Sequence, residues 1–306
     1  MEKAMRNFFL FLSKNKTFSK VAKKYGLRFG ASRFVAGESL GQAIDRIKDL
    51  NKQGLAVTID YLGEFVDNEK EASVMKDNAI MAIQTIANKG LDSQLSLKLT
   101  SMGMDLSNAI VMRNMREIMD VAKMNHVFIT IDMEDFSRCQ KTLDIFKMLK
   151  MEYENIGTVI QAYLYRTQKD LLDLEAFSPN LRLVKGAYKE SPKVAFPEKV
   201  DVDDNFKELI KTHLLNGHYT AIATHDETII DFVKLFVQEN GIPKARFEFQ
   251  MLYGIRSQRQ IDLVKQGYTM RVYMPYGTDW YGYFMRRLAE RPANVIFVLK
   301  SIFTEK

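Results

Sequence analysis

Tyr283, Arg286, Arg287 and Glu290 lie in the run YGYFMRRLAER at offsets 0, 3, 4 and 7, the spacing that gathers side chains on one helical face. Two adjacent guanidinium forks beside a carboxylate suit a small carboxylate that also bears a cationic nitrogen. Arg and Glu on a helix also make an ordinary solvated, self-paired face, so the clamp needs support from elsewhere. Lys98, in Leu97-Lys98-Leu99, and Asp132, in Ile131-Asp132-Met133, supply some. A charge between apolar neighbours needs a partner or a ligand, and these two could be each other's partner.

The elements that must position these groups alternate along the chain. Apolar and β-branched runs recur at Leu55-Tyr61, Gln94-Leu99, Val127-Met133, Thr158-Tyr165, Leu181-Val184, Thr220-Thr224, Arg246-Leu252 and Thr269-Met274, each reading as a strand. Helical periodicity fills intervening stretches such as Ala109-Met124, Arg138-Tyr153, Asn205-Asn216, Thr228-Glu239 and Gln258-Lys265. The repeated βα unit predicts an α/β fold, a (β/α)8 TIM-like barrel, over an open doubly wound sheet. A dinucleotide-binding sheet would carry G-x-G-x-x-G after its first strand, where this chain has Tyr61-Leu62-Gly63-Glu64-Phe65.

Barrel chemistry is built where strands end and loops begin. Those positions hold Lys98, Asp132, Gln161, Lys185 with Tyr188, Thr224-His225, Gln250 with Leu252, and Tyr273. Any one of them could be a plain loop residue; polar groups at nearly every strand exit are harder to dismiss. Arg182 and Lys185 are three apart, so a regular strand would point them to opposite sides and one belongs to the loop.

Bulk properties exclude several classes. With 306 residues, 46% hydrophobic and 27% charged, the chain has the composition of a soluble globular protein with a sizeable core. Its net charge of +6 arises from 44 basic and 38 acidic residues interleaved along the chain, which argues for a solvated surface and against nucleic acid. A single cysteine, Cys139, and no Cys/His cluster exclude an internal disulfide and a structural metal. Phe8-Leu12 is too short for a secretory core or a membrane span. The expected location is cytoplasmic, with the basic, amphipathic opening through Lys24 able to pack on the domain or to rest peripherally on the inner face of the cell membrane.

The ordered set of motifs resembles the monofunctional, FAD-dependent proline dehydrogenases (the proline oxidase family). The resemblance rests on Leu97-Leu99, Ile131-Glu134, Gln161-Tyr163, Arg182-Tyr188, Ala223-His225, Phe249-Gly254, Tyr273-Pro275 and Tyr283-Glu290. It implies a distorted barrel holding FAD non-covalently, in a single domain spanning 1–306. Residues 1–50 would form an N-terminal helical segment and 54–306 the barrel. It also implies oxidation of L-proline to Δ1-pyrroline-5-carboxylate, with electrons passed to a quinone, as the first step of proline catabolism to glutamate.

Carried over residue by residue, the resemblance makes Asp132 and Arg182 the catalytic pair. Lys98, Arg286 and Arg287 become ligands of the substrate carboxylate with Glu290 near Arg287, and Tyr273 and Leu252 pack around the ring. Met133, Gln161, Arg182, Lys185, Gly186, Ala187, Tyr188, Thr224 and His225 fall where the family contacts FAD. Lys189 and Asp226 depart from the bifunctional relatives, which carry an aromatic residue and Asn there. Ending at Lys306, the chain is expected to hand its product to a separate pyrroline-5-carboxylate dehydrogenase.

The amine must lose its proton before hydride leaves, and the histidines suggest no base: His126 opens a strand, and His213 and His218 look peripheral. The rival reading is a Schiff-base (β/α)8 aldolase using Lys98 or Lys185.

Overall fold

The computed structural model describes residues 31–63 and 65–290, with backbone alone for 287–290. Eight parallel strands close into a barrel in chain order. They are β1 (Ala56–Tyr61), β2 (Ser93–Lys98), β3 (Ile129–Asp132) and β4 (Ile156–Gln161), then β5 (Asn180–Val184), β6 (Thr220–Ala223), β7 (Phe247–Leu252) and β8 (Met270–Tyr276). Closure comes from β1 against β8, with Ala56 opposite Arg271 and Tyr61 opposite Tyr276. The strands are buried nearly throughout, as parallel strands covered by helices must be.

Helices α1 (Leu40–Asn51), α2 (Glu69–Asn88), α3 (Asn108–Met124) and α4 (Phe136–Lys150) are followed by α5 (Thr167–Leu174), α6 (Lys199–Leu215), α7 (Glu227–Glu239), α8 (Ser257–Lys265) and α9 (Trp280–Glu290). Local chemistry sets several starts. Ser39 and Gln42 form a capping box at α1, and Asn68, Ser107 and Asp226 accept first-turn N–H groups at α2, α3 and α7.

The distortion lies at the two ends of the chain order. α1 lays Ala43, Ile44 and Ile47 into the main core beside β1. α9 instead joins a second apolar cluster, in which Trp280, Tyr281, Tyr283 and Phe284 meet Phe34, Val35, Leu62 and Ile255. Leu62 and Ile255 follow the carboxyl ends of β1 and β7, so the last helix sits toward the barrel mouth. The segment expected to precede the barrel is described only from residue 31, and the amphipathic opening lies outside the described residues.

Boundaries differ from expectation where an apolar run outlives its pairing. The fourth strand, expected over Thr158-Tyr165, ends at Gln161, and Leu164 forms an antiparallel bridge with Ala195 instead. Among the described residues no helix is long and apolar enough to cross a membrane.

Candidate active site

Inward-facing residues near the carboxyl ends of β1, β2, β3, β5 and β8 converge on one charged cluster. Asp132, the last residue of β3, is its centre. Its Oδ1 accepts from Ser96 Oγ at 2.6 Å and from Arg182 Nη1 at 2.7 Å. Its Oδ2 lies 2.7 Å from Tyr273 Oη and 3.4 Å from Lys98 Nζ. Lys98 and Asp132 are register partners on β2 and β3, so the two charges singled out in the sequence do meet. Lys98 Nζ also donates to Asp60 Oδ2 at 2.9 Å.

The cluster is nearly dry, the side chains of Asp60, Arg182, Asp132 and Lys98 being 4%, 6%, 11% and 13% exposed. Burial works to raise the Asp132 carboxyl, but Lys98, Arg182 and the Ser96 and Tyr273 hydroxyls outweigh it and hold Asp132 below the usual carboxylate range. Asp60 lacks the guanidinium; burial pushes it up, against Lys98 and with the help of Asp132. Burial, then the charges of Asp132 and Asp60, keep the Tyr273 phenol protonated far above its ordinary range. The Arg182 guanidinium lies over the Tyr273 ring, 5.1 Å from its centroid.

Several buried polar atoms have no hydrogen-bond partner among the described residues: Nε and Nη2 of Arg182, Oε1 of Gln161 and Oε1 of Gln250. Leaving a buried donor unmade costs about 1–3 kcal/mol, more for a charged group. Arg182 donors and the Gln161 acceptor, on adjacent strands β5 and β4, suit the polar edge of a planar heterocycle that both accepts and donates.

A second cluster rims the mouth beyond β5 and β6. Lys185 stands past the end of β5, whereas Arg182 is inside it, which resolves the spacing of those two residues. Lys185 Nζ pairs with Asp226 Oδ2 at 2.8 Å and Asp203 Oδ1 at 2.5 Å. Thr224 Oγ1 accepts from the Asp226 N–H at 3.0 Å. His225 Nε2 accepts from the Leu252 N–H at 3.0 Å, so that nitrogen carries no proton and the ring is held to one tautomer. Gly186 has φ +119°, and a Cβ there would lie 2.2 Å from the Tyr163 ring; only glycine fits. Ala187 is exposed, Tyr188 half-buried, and Met133 buried beside Asp132.

Arg286, on the second turn of α9, is half-buried. The side chains of Arg287 and Glu290 lie outside the described residues, so the helical clamp is seen only through Tyr283 and Arg286. Sequence reasoning missed Asp60 and Ser96. Asp60 had a signal: it stands in Ile59-Asp60-Tyr61, a charge between bulky neighbours at a strand exit, the same signature that marked Asp132. Cys139 is buried on α4 and its thiol is pushed up to about 11 by burial, which makes it inert. Among the described residues no group of His, Cys, Asp and Glu could hold a metal.

A closed parallel (β/α)8 barrel with its ionisable residues gathered at the carboxyl ends of the strands defines an enzyme of the barrel class. The particular family follows from its relatives. The chain matches the proline dehydrogenase family over residues 43–300, and it belongs to that family. It is 56% identical over 297 residues to proline dehydrogenase 2 of Bacillus subtilis, covering 97% of this chain and 98% of the relative. It is 46% identical over 277 residues to the proline dehydrogenase of Deinococcus radiodurans, with 89% of each chain covered. Among solved structures, proline utilization A from Bdellovibrio bacteriovorus inactivated by N-propargylglycine superposes with a TM-score of 0.80 at 28% identity. The match covers 85% of this chain and 32% of that much longer one. Family membership supports proline dehydrogenase activity, with proline as the substrate.

Proposed function

We propose that the protein is an FAD-dependent enzyme that oxidises L-proline to Δ1-pyrroline-5-carboxylate, passes the electrons to a quinone, and so begins proline catabolism to glutamate. The observation that carries this reading is the buried Lys98–Asp132–Arg182–Tyr273 cluster, with two Arg182 nitrogens that have no partner among the described residues. When bound, the flavin supplies the two-electron acceptor.

The rest of the work is the chain's. Arg182 and Gln161 offer a buried donor and acceptor to the cofactor, and Arg182 adds positive charge where reduction brings negative charge. Met133, Lys185, Gly186, Ala187, Tyr188, Thr224 and His225 border the same mouth and would hold the remainder of the cofactor. Lys98, Arg286 and Arg287 bind the substrate carboxylate, Glu290 orients Arg287, and Tyr273 and Leu252 close around the ring. Asp132 acts through the groups it holds: it fixes Lys98, Arg182 and the Tyr273 hydroxyl. Such fixing of direction, with water kept out, is where a protein contributes most to hydride transfer.

The aldolase alternative gains nothing from the geometry. A Schiff base needs a neutral amine, and Lys98 and Lys185 each face two carboxylates. The wider proposals are a single catalytic domain over 1–306, a separate pyrroline-5-carboxylate dehydrogenase as recipient of the product, and contact with the inner membrane face where a quinone is met.

The test is steady-state turnover of L-proline by the purified, FAD-loaded protein with a soluble quinone, read as formation of the cyclic imine. Imine formation that requires both FAD and quinone is expected. A protein that cannot be loaded with FAD, or that turns over without it, would overturn the proposal.

A further inference from the structure

Tyr273 Oη stands 2.7 Å from Asp132 Oδ2 and 2.8 Å from Asp60 Oδ2. Both are hydrogen-bond separations between oxygens. A phenol brings one proton and can fill only one of them. With both carboxylates ionised, the other contact would set lone pairs against each other in a nearly dry site, where such repulsion is strong. Lys98, whose ammonium contacts the same two oxygens, offsets part of their charge but places no proton between either of them and the phenol oxygen. The row Asp60–Tyr273–Asp132 therefore holds one proton beyond the phenol's own, as two carboxylates in one site do.

The neighbours decide where that proton rests. Asp132 accepts from the Arg182 guanidinium and the Ser96 hydroxyl as well, and both favour its anion. Asp60 faces Lys98 from β2, Asp132 from β3, and Tyr273 and Tyr276 from β8, with Arg182 on β5 reaching it through Asp132 and Tyr273. Among the described residues Asp60 thus has one cation beside it, one anion close by, and the smallest exposure of the four charged groups. Burial raises its carboxyl, in the same sense.

We infer that Asp60 is a neutral acid in the resting site, that it donates to Tyr273 Oη, and that Tyr273 in turn donates to Asp132. Asp60 is then a positioning residue that gives the Tyr273 hydroxyl its direction. It also sets the charge the substrate meets. Of Lys98, Arg182, Asp60 and Asp132, two are cations and one is an anion, a net of +1. A more positive site favours an amino acid whose carboxylate is ionised and whose ring amine is neutral, the form from which hydride can leave. An ionised Asp60 would lower the site's charge by one unit and favour the unreactive zwitterion. The consequence for the substrate rests on the proline-oxidising reading; the position of the proton does not.

The experiment is pH-difference infrared spectroscopy of the FAD-loaded full chain, wild type against Asp60→Asn and Tyr273→Phe, each checked for folding by circular dichroism. Raising the pH from neutral is expected to remove a carboxylic-acid carbonyl band from the wild type and to add carboxylate bands. Asp60→Asn should lack the change. Tyr273→Phe should shift the band or remove it, because the acceptor of the Asp60 proton and the contact that calls for that proton are both gone. No carboxylic-acid band in the wild type, its persistence in Asp60→Asn, or an unshifted band in Tyr273→Phe would overturn the assignment. For the substrate, kcat/KM for L-proline should fall at the alkaline pH where the band disappears, and Asp60→Asn should lose that limb; an identical limb in both proteins would overturn the charge-setting role. A wild type with the band but no proline oxidation would leave the proton in place and remove the proposed function.

Discussion

Arg182 on β5 reaches past β4 to Asp132 on β3, Nη1 to Oδ1 2.7 Å, and the pair is buried. One strand stands between the two strands that carry it, so the contact bridges the barrel interior. Lys98 shares the same carboxylate. Removing one partner from such a group leaves charge uncompensated in a dry site, which costs about 3–5 kcal/mol. Asp132→Ala should therefore lower the stability of the barrel by that order in urea melts, whereas Asp132→Asn, which keeps the shape, should cost less stability and still lose most turnover. Equal melts for the two variants would show that the charge contributes nothing to holding Arg182 and Lys98.

Arg286→Lys should raise KM for L-proline by about tenfold or more, the scale of one lost fork contact near 1.4 kcal/mol. The FAD content of the purified protein should hardly change. An ammonium cannot reproduce two parallel N–H donors, and a KM effect without loss of cofactor separates substrate binding from flavin binding. Loss of FAD in place of a change in KM would move Arg286 out of the clamp.

Much of this site was legible because barrel chemistry concentrates at strand exits, where a lone charge between apolar residues stands out. Lys98 and Asp132 were found that way, and they are register neighbours. Asp60 carries the same signature at the end of β1 and was passed over, since its partners Lys98 and Tyr273 lie 38 and 213 residues away. Ser96 looks like a routine small residue in a strand until Asp132 is seen beside it. The place of α9 was not legible either: its apolar stripe fits the outer ring as well as the mouth, and only Leu62 and Ile255 at the strand ends decide between them.

Gly186→Ala tests the loop after β5. The new methyl would meet the Tyr163 ring and sit at φ +119°, a region closed to residues with a Cβ and worth about 1–3 kcal/mol of strain. The loop should shift, and FAD affinity measured by flavin fluorescence should drop about tenfold or more. Unchanged FAD affinity would place the 185–188 loop away from the cofactor.

His213 provides a pH prediction that owes nothing to the active site. It is buried on α6 with its ring 5.2 Å from His218, and burial, then His218, lowers it from 6.5 to about 3. The unfolded chain binds this proton more readily than the folded one. The contribution to stability is therefore full above pH 6.5 and is lost as pH falls toward 3, by up to about 1.4 kcal/mol per pH unit. His213→Leu should flatten urea-midpoint profiles in that window; parallel profiles would assign the acid sensitivity elsewhere.

The most direct measurement is anaerobic mixing of the FAD-loaded protein with L-proline, followed through the visible flavin band. The account predicts that the band bleaches with proline and recovers on adding quinone, and that Arg182→Met slows the bleaching sharply. A loaded protein whose flavin proline leaves unbleached would contradict it.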